Sequence, residues 1–259
     1  MSNSNNTKTV LSDERLLNLI EILHNQSTAG VTELAEMTEL SKGAVHAHLA
    51  TLENRGFVVN NDGHYRLGLE FFRHGIAVRD HYEYEQMSNK VEQLAEETGE
   101  RVWAQVKENQ MAYYMSGAKG THHIKPPVRI GERIHLHQIA GGKAMLSCLP
   151  DDQIQAIIDR HGLPPATENT ITDAEPLFAE IERIREQGYA FNREESIPGL
   201  HAVSTPIKKS DHDVYGAITI AGPANRLSGN KLESELPSLL LGAVNELEIN
   251  IKYNRQGRS

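Results

Sequence analysis

In the stretch LSKGAVHAHLATLENRGFV, Leu40 to Val58, one lysine and two histidines fall at the head of an amphipathic segment. A lysine can meet a phosphate or a guanine edge, and an imidazole can reach a base edge, provided both stand on the exposed face of an element that enters the major groove. Val45, Leu49 and Leu52 recur at spacings of four and three, the mark of a helix with one buried stripe. The outward positions are then Lys42, Gly43, His46, Ala47 and Ala50, with Ser41 at the helix start. Ser41 and the first-turn amides suit a phosphate, and the small Gly43, Ala44 and Ala47 let the backbone come close. Further on, Arg66 is a candidate for a phosphate or minor-groove contact.

A second set of candidates lies beyond residue 120. Ala140, Gly141 and Gly142 open a helix with almost no side chain, which exposes free amides and the positive end of the helix dipole to an anion such as a carboxylate. Simple helix packing or a turn would account for the same glycines. His122 with His123, and His135 with His137, raise metal binding, since imidazole is the commonest transition-metal ligand. On a strand His135 and His137 would share a face, but no carboxylate or cysteine stands at a ligand spacing, and surface histidines explain the pairs more simply. We expect no metal and no cofactor. Glu194 and Glu195 could serve as acid or base, yet between Arg193 and Ser196 they read as a solvated loop. No phosphate loop, nucleophile elbow or nucleotide-binding glycine fingerprint occurs, so the chain does not read as an enzyme.

The elements that must position these residues follow from spacing. After a polar tail (1–9), Leu16, Leu19, Ile20 and Leu23 mark a helix capped by Ser12; Thr32 caps a short second helix over Leu34, Ala35 and Met37; the Lys42 helix is the third, stopping near Gly56. FVVNNDGHYRLG then gives two strands around Asn61-Asp62-Gly63, a strong turn signal. Three helices and a hairpin make a winged helix-turn-helix over 10–67. A connecting helix over 68–82 carries Phe71, Phe72, Ile76 and Val78, and helical spacing resumes with Met87, Val91, Leu94 and Ala95. Exposed phenylalanines on such a helix want a partner, either the adjoining domain or another subunit.

Residues 83–259 form an α+β region in which VWAQV, MAYYMSG, RIHLH, HAVSTPI and YGAITIAG alternate with helices over 140–148, 151–160, 173–187 and 231–253, the third opened by Thr172 and Glu175 as a capping box. The 259 residues, 39% of them hydrophobic, suffice for two domains. No apolar run approaches the roughly 20 residues of a membrane helix, and a single cysteine, Cys148, agrees with a reducing compartment as a buried thiol. The chain is therefore expected to be soluble and cytoplasmic, with no membrane partner. The net charge of -9 excludes a surface that tracks nucleic acid throughout. Even residues 1–80 hold 7 Lys/Arg against 10 Asp/Glu, a formal charge of -3. Non-specific DNA binding is then weak, and base or shape readout must supply more of the affinity. High cytoplasmic salt would make this tolerable, and the acidic surplus would suit a halophilic archaeon.

The sequence resembles the IclR-type transcriptional regulators over nearly its whole length. LSKGAVHAHLATLENRGFV with a wing ending YRLG is the first mark, RIHLHQIAGGKAML the second, and GYAFNREESIPGLHAVSTPI followed by YGAITIAGP and Arg226 the third. The resemblance implies a winged helix-turn-helix, a linker helix and a GAF-like effector-binding domain with a six-stranded antiparallel sheet flanked by helices. It also implies a homodimer or homotetramer that binds double-stranded operator DNA and responds to a small molecule of the pathway it regulates, often a carboxylate or aromatic acid. The family's ligand-contacting places fall here on Ala140, Gly141, Asn192, Leu200, Ala202, Thr219 and Ala221. Some members that bind small carboxylates have a cysteine and two serines where Ala202, Thr219 and Ala221 stand, so this chain has fewer hydroxyl donors and suits a larger or less polar effector. Many members have an arginine where Ala47 stands, so target sequence does not transfer. The rival reading is a metabolite-binding sensor or enzyme whose N-terminal module docks protein, with Lys42 and His46 merely solvated; the turn at Asn61 to Gly63 favours DNA.

Overall fold

The computed structural model describes residues 9–122, 128–210 and 212–256. The expected tail, apart from Thr9, and His123 lie outside the described residues. The chain packs as two units, one reaching to His81 and the other beginning at Tyr82.

In the first unit α1 (Leu11–Gln26), α2 (Val31–Thr38) and α3 (Lys42–Asn54) bury Leu19, Leu23, Leu34, Val45, Leu49 and Leu52 together, with Val58 and Tyr65 closing the core. After β1 (Ala29–Gly30), which leads into α2, the wing is formed by β2 (Val58–Asn61) and β3 (His64–Leu67), in the order β1-β3-β2. Asn61 pairs with His64, leaving the two-residue turn Asp62-Gly63 with φ of 52° and 86°, the left-handed pair that a hairpin of matching twist requires and glycine supplies without strain. The end of α3 is closed by Phe57 N–H to Leu52 C=O and Gly56 N–H to Glu53 C=O, both 2.9 Å, which satisfies carbonyls the helix leaves unpaired. On α4 (Glu70–Arg79) Phe71 meets Phe57 edge-on at 4.9 Å, whereas Phe72 and Val78 are exposed.

The second unit runs α5 (Tyr84–Thr98), β4 (Arg101–Glu108), β5 (Met111–Lys119), β6 (Arg133–Ile134), α6 (Ala140–Leu146), α7 (Asp151–His161), α8 (Ala174–Gln187), β7 (Ala190–Arg193), β8 (Leu200–Ser210), β9 (Asp213–Pro223) and α9 (Leu236–Gln256). Its six strands pair antiparallel in the order β6-β5-β4-β9-β8-β7. Strand alternation divides the apolar residues between two faces. Val102, Ala104, Val106, Ile218 and Ile220 pack with α5 and α9, while Trp103, Tyr114, Ala202, Ala217 and Ala221 face the side of α6, α7 and α8.

Three helix starts differ from the sequence expectation. A side-chain cap needs extended backbone just before the first turn. Ser12 and Thr32 are already helical, the caps being Val10 and Gly30, and the Gly30 N–H is met by the Glu33 carboxylate at 2.7 Å. Asp173 is the cap of α8 without a side-chain bond, and the Thr172 hydroxyl turns to its carboxylate. RIHLH is also not one strand. Only Arg133 and Ile134 pair, with Tyr113 and Ala112, after which Leu136–Gln138 wind into a 3-10 turn, so His135 and His137 do not share a strand face.

Candidate functional site

On α3 the burial follows the spacing. Val45, Leu49 and Leu52 are enclosed, Ser41, Lys42, Gly43, His46 and Ala47 are exposed, and His48 is half-buried at the margin. Ser41 caps the helix, its hydroxyl oxygen accepting the Ala44 N–H at 3.2 Å. That bond spends a lone pair and leaves the O–H free to donate, so capping and a phosphate contact are compatible. Arg66 is exposed on the wing, one guanidinium nitrogen donating to the Leu67 carbonyl at 3.2 Å. One feature escaped sequence reading: Glu39, between α2 and α3, holds φ of 57° without being glycine.

In the second unit Ala140, Asn192, Leu200, Ala202, Thr219 and Ala221 border a single cavity of about 170 Å³ between the sheet and the start of α6. The strands put them there by alternation: Ala202 pairs with Ala221 and Ser204 with Thr219 across β8 and β9, and Asn192 pairs with Ala202 across β7 and β8. Gly141 does not border the cavity itself. A Cβ at Gly141 would stand 2.5 Å from Gln105 Oε1 and 3.0 Å from Thr219 Oγ1, so this glycine lets α6 lie against the sheet. A larger, open groove of about 420 Å³ runs beside the buried Cys148, but among residues predicted for a ligand none borders it.

The cavity wall is mostly apolar, with a few convergent polar groups, the usual make-up of a small-molecule site. Thr219 Oγ1 lies 2.7 Å from Gln105 Oε1 and 2.9 Å from Ser204 Oγ, so its single proton is spent inside the wall. Asn192 is likewise committed, donating to the Gln138 carbonyl at 2.8 Å and accepting the Glu195 N–H at 3.1 Å. Burial pushes the Tyr114 phenol well above its ordinary value, so it faces the cavity as a neutral O–H. The amides of Ala140, Gly141 and Gly142 are first-turn donors with no acceptor inside their helix.

Sequence reading missed Trp103, Gln105, Tyr114, Ser196 and Ile197 as cavity residues. Alternation within VWAQV contains the signal for the first two, which stand two apart on one face. The loop bearing Ser196 and Ile197 is anchored by Glu195, contrary to the solvated loop expected there. Lys143 Nζ, 1% exposed, meets Glu195 Oε2 at 2.5 Å and Glu180 Oε1 at 3.4 Å, and the Thr170 hydroxyl donates to the Glu195 carbonyl at 2.6 Å. Glu194 accepts the Gly199 N–H at 2.6 Å. His135 has ring contacts with His137 and His161, and burial lowers the pKa of both His135 and His137, keeping them neutral near pH 7. His137 Nε2 lies 3.1 Å from the Pro164 carbonyl. Among the described residues no group of three or more His, Cys, Asp or Glu is arranged to hold a metal ion.

Two family models match the chain: "Bacterial transcriptional regulator IclR C-terminal" over residues 78–248 and "IclR helix-turn-helix domain" over 13–62. The chain is 32% identical to the HTH-type transcriptional regulator KipR of Bacillus subtilis, covering 88% of this chain and 91% of that protein. It is 28% identical to the probable HTH-type transcriptional regulator ArcR of Halobacterium salinarum, over 92% and 93%. The crystal structure of the Thermotoga maritima IclR superposes with a TM-score of 0.75 at 26% identity, over 93% of this chain and 96% of that one.

Proposed function

The chain belongs to the IclR family of transcriptional regulators, and from that premise we propose that a small molecule in the α6 cavity sets how a homo-oligomer holds its α3 helices on operator DNA. The protein is a DNA-binding regulator with a helix-turn-helix and an effector-binding domain, and its relatives are regulators rather than enzymes. No helix among the described residues is long and apolar enough to cross a membrane.

The observation that carries the effector reading is the convergence of Ala140, Asn192, Leu200, Ala202, Thr219 and Ala221, from four separate stretches of sequence, on one cavity. Its aromatic and aliphatic wall, and the commitment of Thr219 and Asn192 to the protein itself, support a ligand with a weakly polar body from a catabolic pathway. Ser41, Lys42, Gly43, His46, Ala47 and Arg66 are our operator-contacting set, supported by exposure along one face of α3 and on the wing. Leu69 and Phe72, 80% and 67% exposed, support a second copy at α4. The effector's leverage cannot exceed its differential affinity for the two arrangements of the oligomer. Selection of bound duplexes from random DNA tests the reading. The expected product is a motif of two half-sites about one helical turn, roughly 34 Å, apart or a multiple of that. No enriched motif at any salt would overturn it in favour of a protein-docking module.

A further inference from the structure

We propose that Arg101 and Lys119, which do not border the cavity but stand just beyond its residues Trp103 and Ala221, form an anion subsite at that end, so that the effector presents a carboxylate held beside Trp103. This rests on the cavity being the effector site. Arg101 and Lys119 are direct cross-strand partners on β4 and β5, so their side chains rise from the same face of the sheet with Cβ atoms about 5 Å apart. It is the cavity face. Trp103 stands two residues along β4, and Ala221 pairs with Arg101 from the other side; both border the cavity.

Like charges directly opposite in a sheet oppose folding, and among the described residues no carboxylate pairs with either one. Other enclosed cations are matched: Lys90 by Glu246, Lys143 by Glu180 and Glu195, Arg226 by Glu100. The Arg101 guanidinium folds along its strand until its central carbon is 4.0 Å from the Trp103 ring centroid. Its Nε is buried and meets no acceptor, an arrangement that costs free energy unless something fills it. Burial holds its pKa below the usual arginine value, as befits a cation without its anion. A carboxylate answers both faults, taking the planar fork of Arg101 in two parallel bonds and the point charge of Lys119 beside it.

The other end has the opposite character. Tyr114 and Gln105, with Glu132 near the phenol, lie four residues along the strand, roughly 13 Å away. The negative charge of Glu132 opposes the pull of the α6 first-turn amides on a second carboxylate, whereas a neutral hydroxyl can meet both the acid and the amides. The ligand class is therefore a monocarboxylate with an apolar or aromatic body and a neutral polar group at its far end.

Calorimetric titration of the full chain with 4-hydroxyphenylacetate, 6-hydroxyhexanoate and their primary amides tests this. Wild type is expected to prefer each acid over its amide by about tenfold or more, the scale of a charge-assisted pair. Arg101→Gln should remove that preference by weakening the acid far more than the amide, while Arg101→Lys retains part of it, which separates recognition from misfolding. Lys119→Gln, at an exposed position, should lose less, and less still at high salt. An acid preference that survives in Arg101→Gln, or amides that bind wild type as well as acids, overturns the subsite. If only uncharged phenols and alcohols bind, and Gly141→Val abolishes that binding, the subsite fails and the cavity stands. If nothing binds, or Gly141→Val changes nothing, both fail.

Discussion

Replacing Lys143 by methionine keeps the methylene stem and removes the ammonium from between Glu195 and Glu180, whose side chains are only 12% and 14% exposed. Glu180 would keep Arg183 at 2.8 Å; Glu195 would keep only the Arg193 N–H at 3.3 Å. Removing one partner of a buried ion pair costs about 3–5 kcal/mol because the other charge is left uncompensated. With Glu180 still partnered, the lower end applies, about 3 kcal/mol. For a unit the size of Tyr82–Ser259, each kcal/mol lowers the melting temperature by roughly 2–4 °C, so the loss should be roughly 6–12 °C. Trp103 is the single tryptophan of the chain and lies on the cavity wall, so its fluorescence reports the second unit apart from the first. Glu195→Gln alone should cost less, since Lys143 retains Glu180. Adding Glu195→Gln to Lys143→Met should restore part of the loss by neutralising the orphaned acid, a non-additivity above about 0.5 kcal/mol. A Lys143→Met transition within about 1 kcal/mol of wild type, or an additive cycle, would refute the account of this network as the clamp on the 194–197 loop.

Because Lys42 and His46 are exposed, their joint replacement by alanine should abolish binding to a selected operator in fluorescence anisotropy while stability stays within about 0.5 kcal/mol. Wild-type affinity in that variant would remove them from the interface. Gly141→Val drives its Cβ toward Gln105 and Thr219, and should eliminate ligand-induced melting shifts; an intact shift places the ligand elsewhere. Burial alone would raise the Glu100 pKa, but hydrogen bonds from Arg226 and Lys231 outweigh it and hold the carboxyl below its ordinary 4.5. The folded state then binds that proton more weakly than the unfolded state, so this stabilisation is complete above about pH 4.5 and is lost as pH falls through the lowered value. Glu100→Gln should flatten the acid limb of a urea-midpoint profile, and an unchanged limb would contradict the assignment.

What was legible in the sequence was local. Val45, Leu49 and Leu52 fix which way α3 faces, and Asp62-Gly63 fixes the wing, because helix and hairpin periodicities are set within a few residues. Alternation likewise puts Thr219 and Ala221 on the cavity side of β9. The helix starts were less legible, since Ser12 and Thr32 match the cap chemistry while the chain path selects Val10 and Gly30. Least legible was the Lys143 to Glu195 pair. Its partners are 52 residues apart, and nothing beside Glu195 distinguishes a buried acid from a solvated one. The cost of burying these charges is met only by tertiary geometry, which no local pattern encodes.

The winged unit's acidity also resolves when charge is followed by position. Residues 1–80 sum to -3, but from Lys42 to Leu52 the reading helix carries no acid; six of the ten carboxylates stand at Asp13, Glu14, Glu21, Glu33, Glu36 and Glu39, and the other four at Glu53 near the end of α3, Asp62 in the wing turn, Glu70 and Asp80. A distant acid weakens the general attraction of phosphate, which falls steeply with salt, more than it weakens a bond to a base edge. The arrangement therefore lowers non-specific affinity further than specific affinity and widens the ratio between them. Few contacts then separate bound from free. A coupling of ordinary size between effector and operator, about 1–3 kcal/mol, would change operator affinity roughly 5–150-fold.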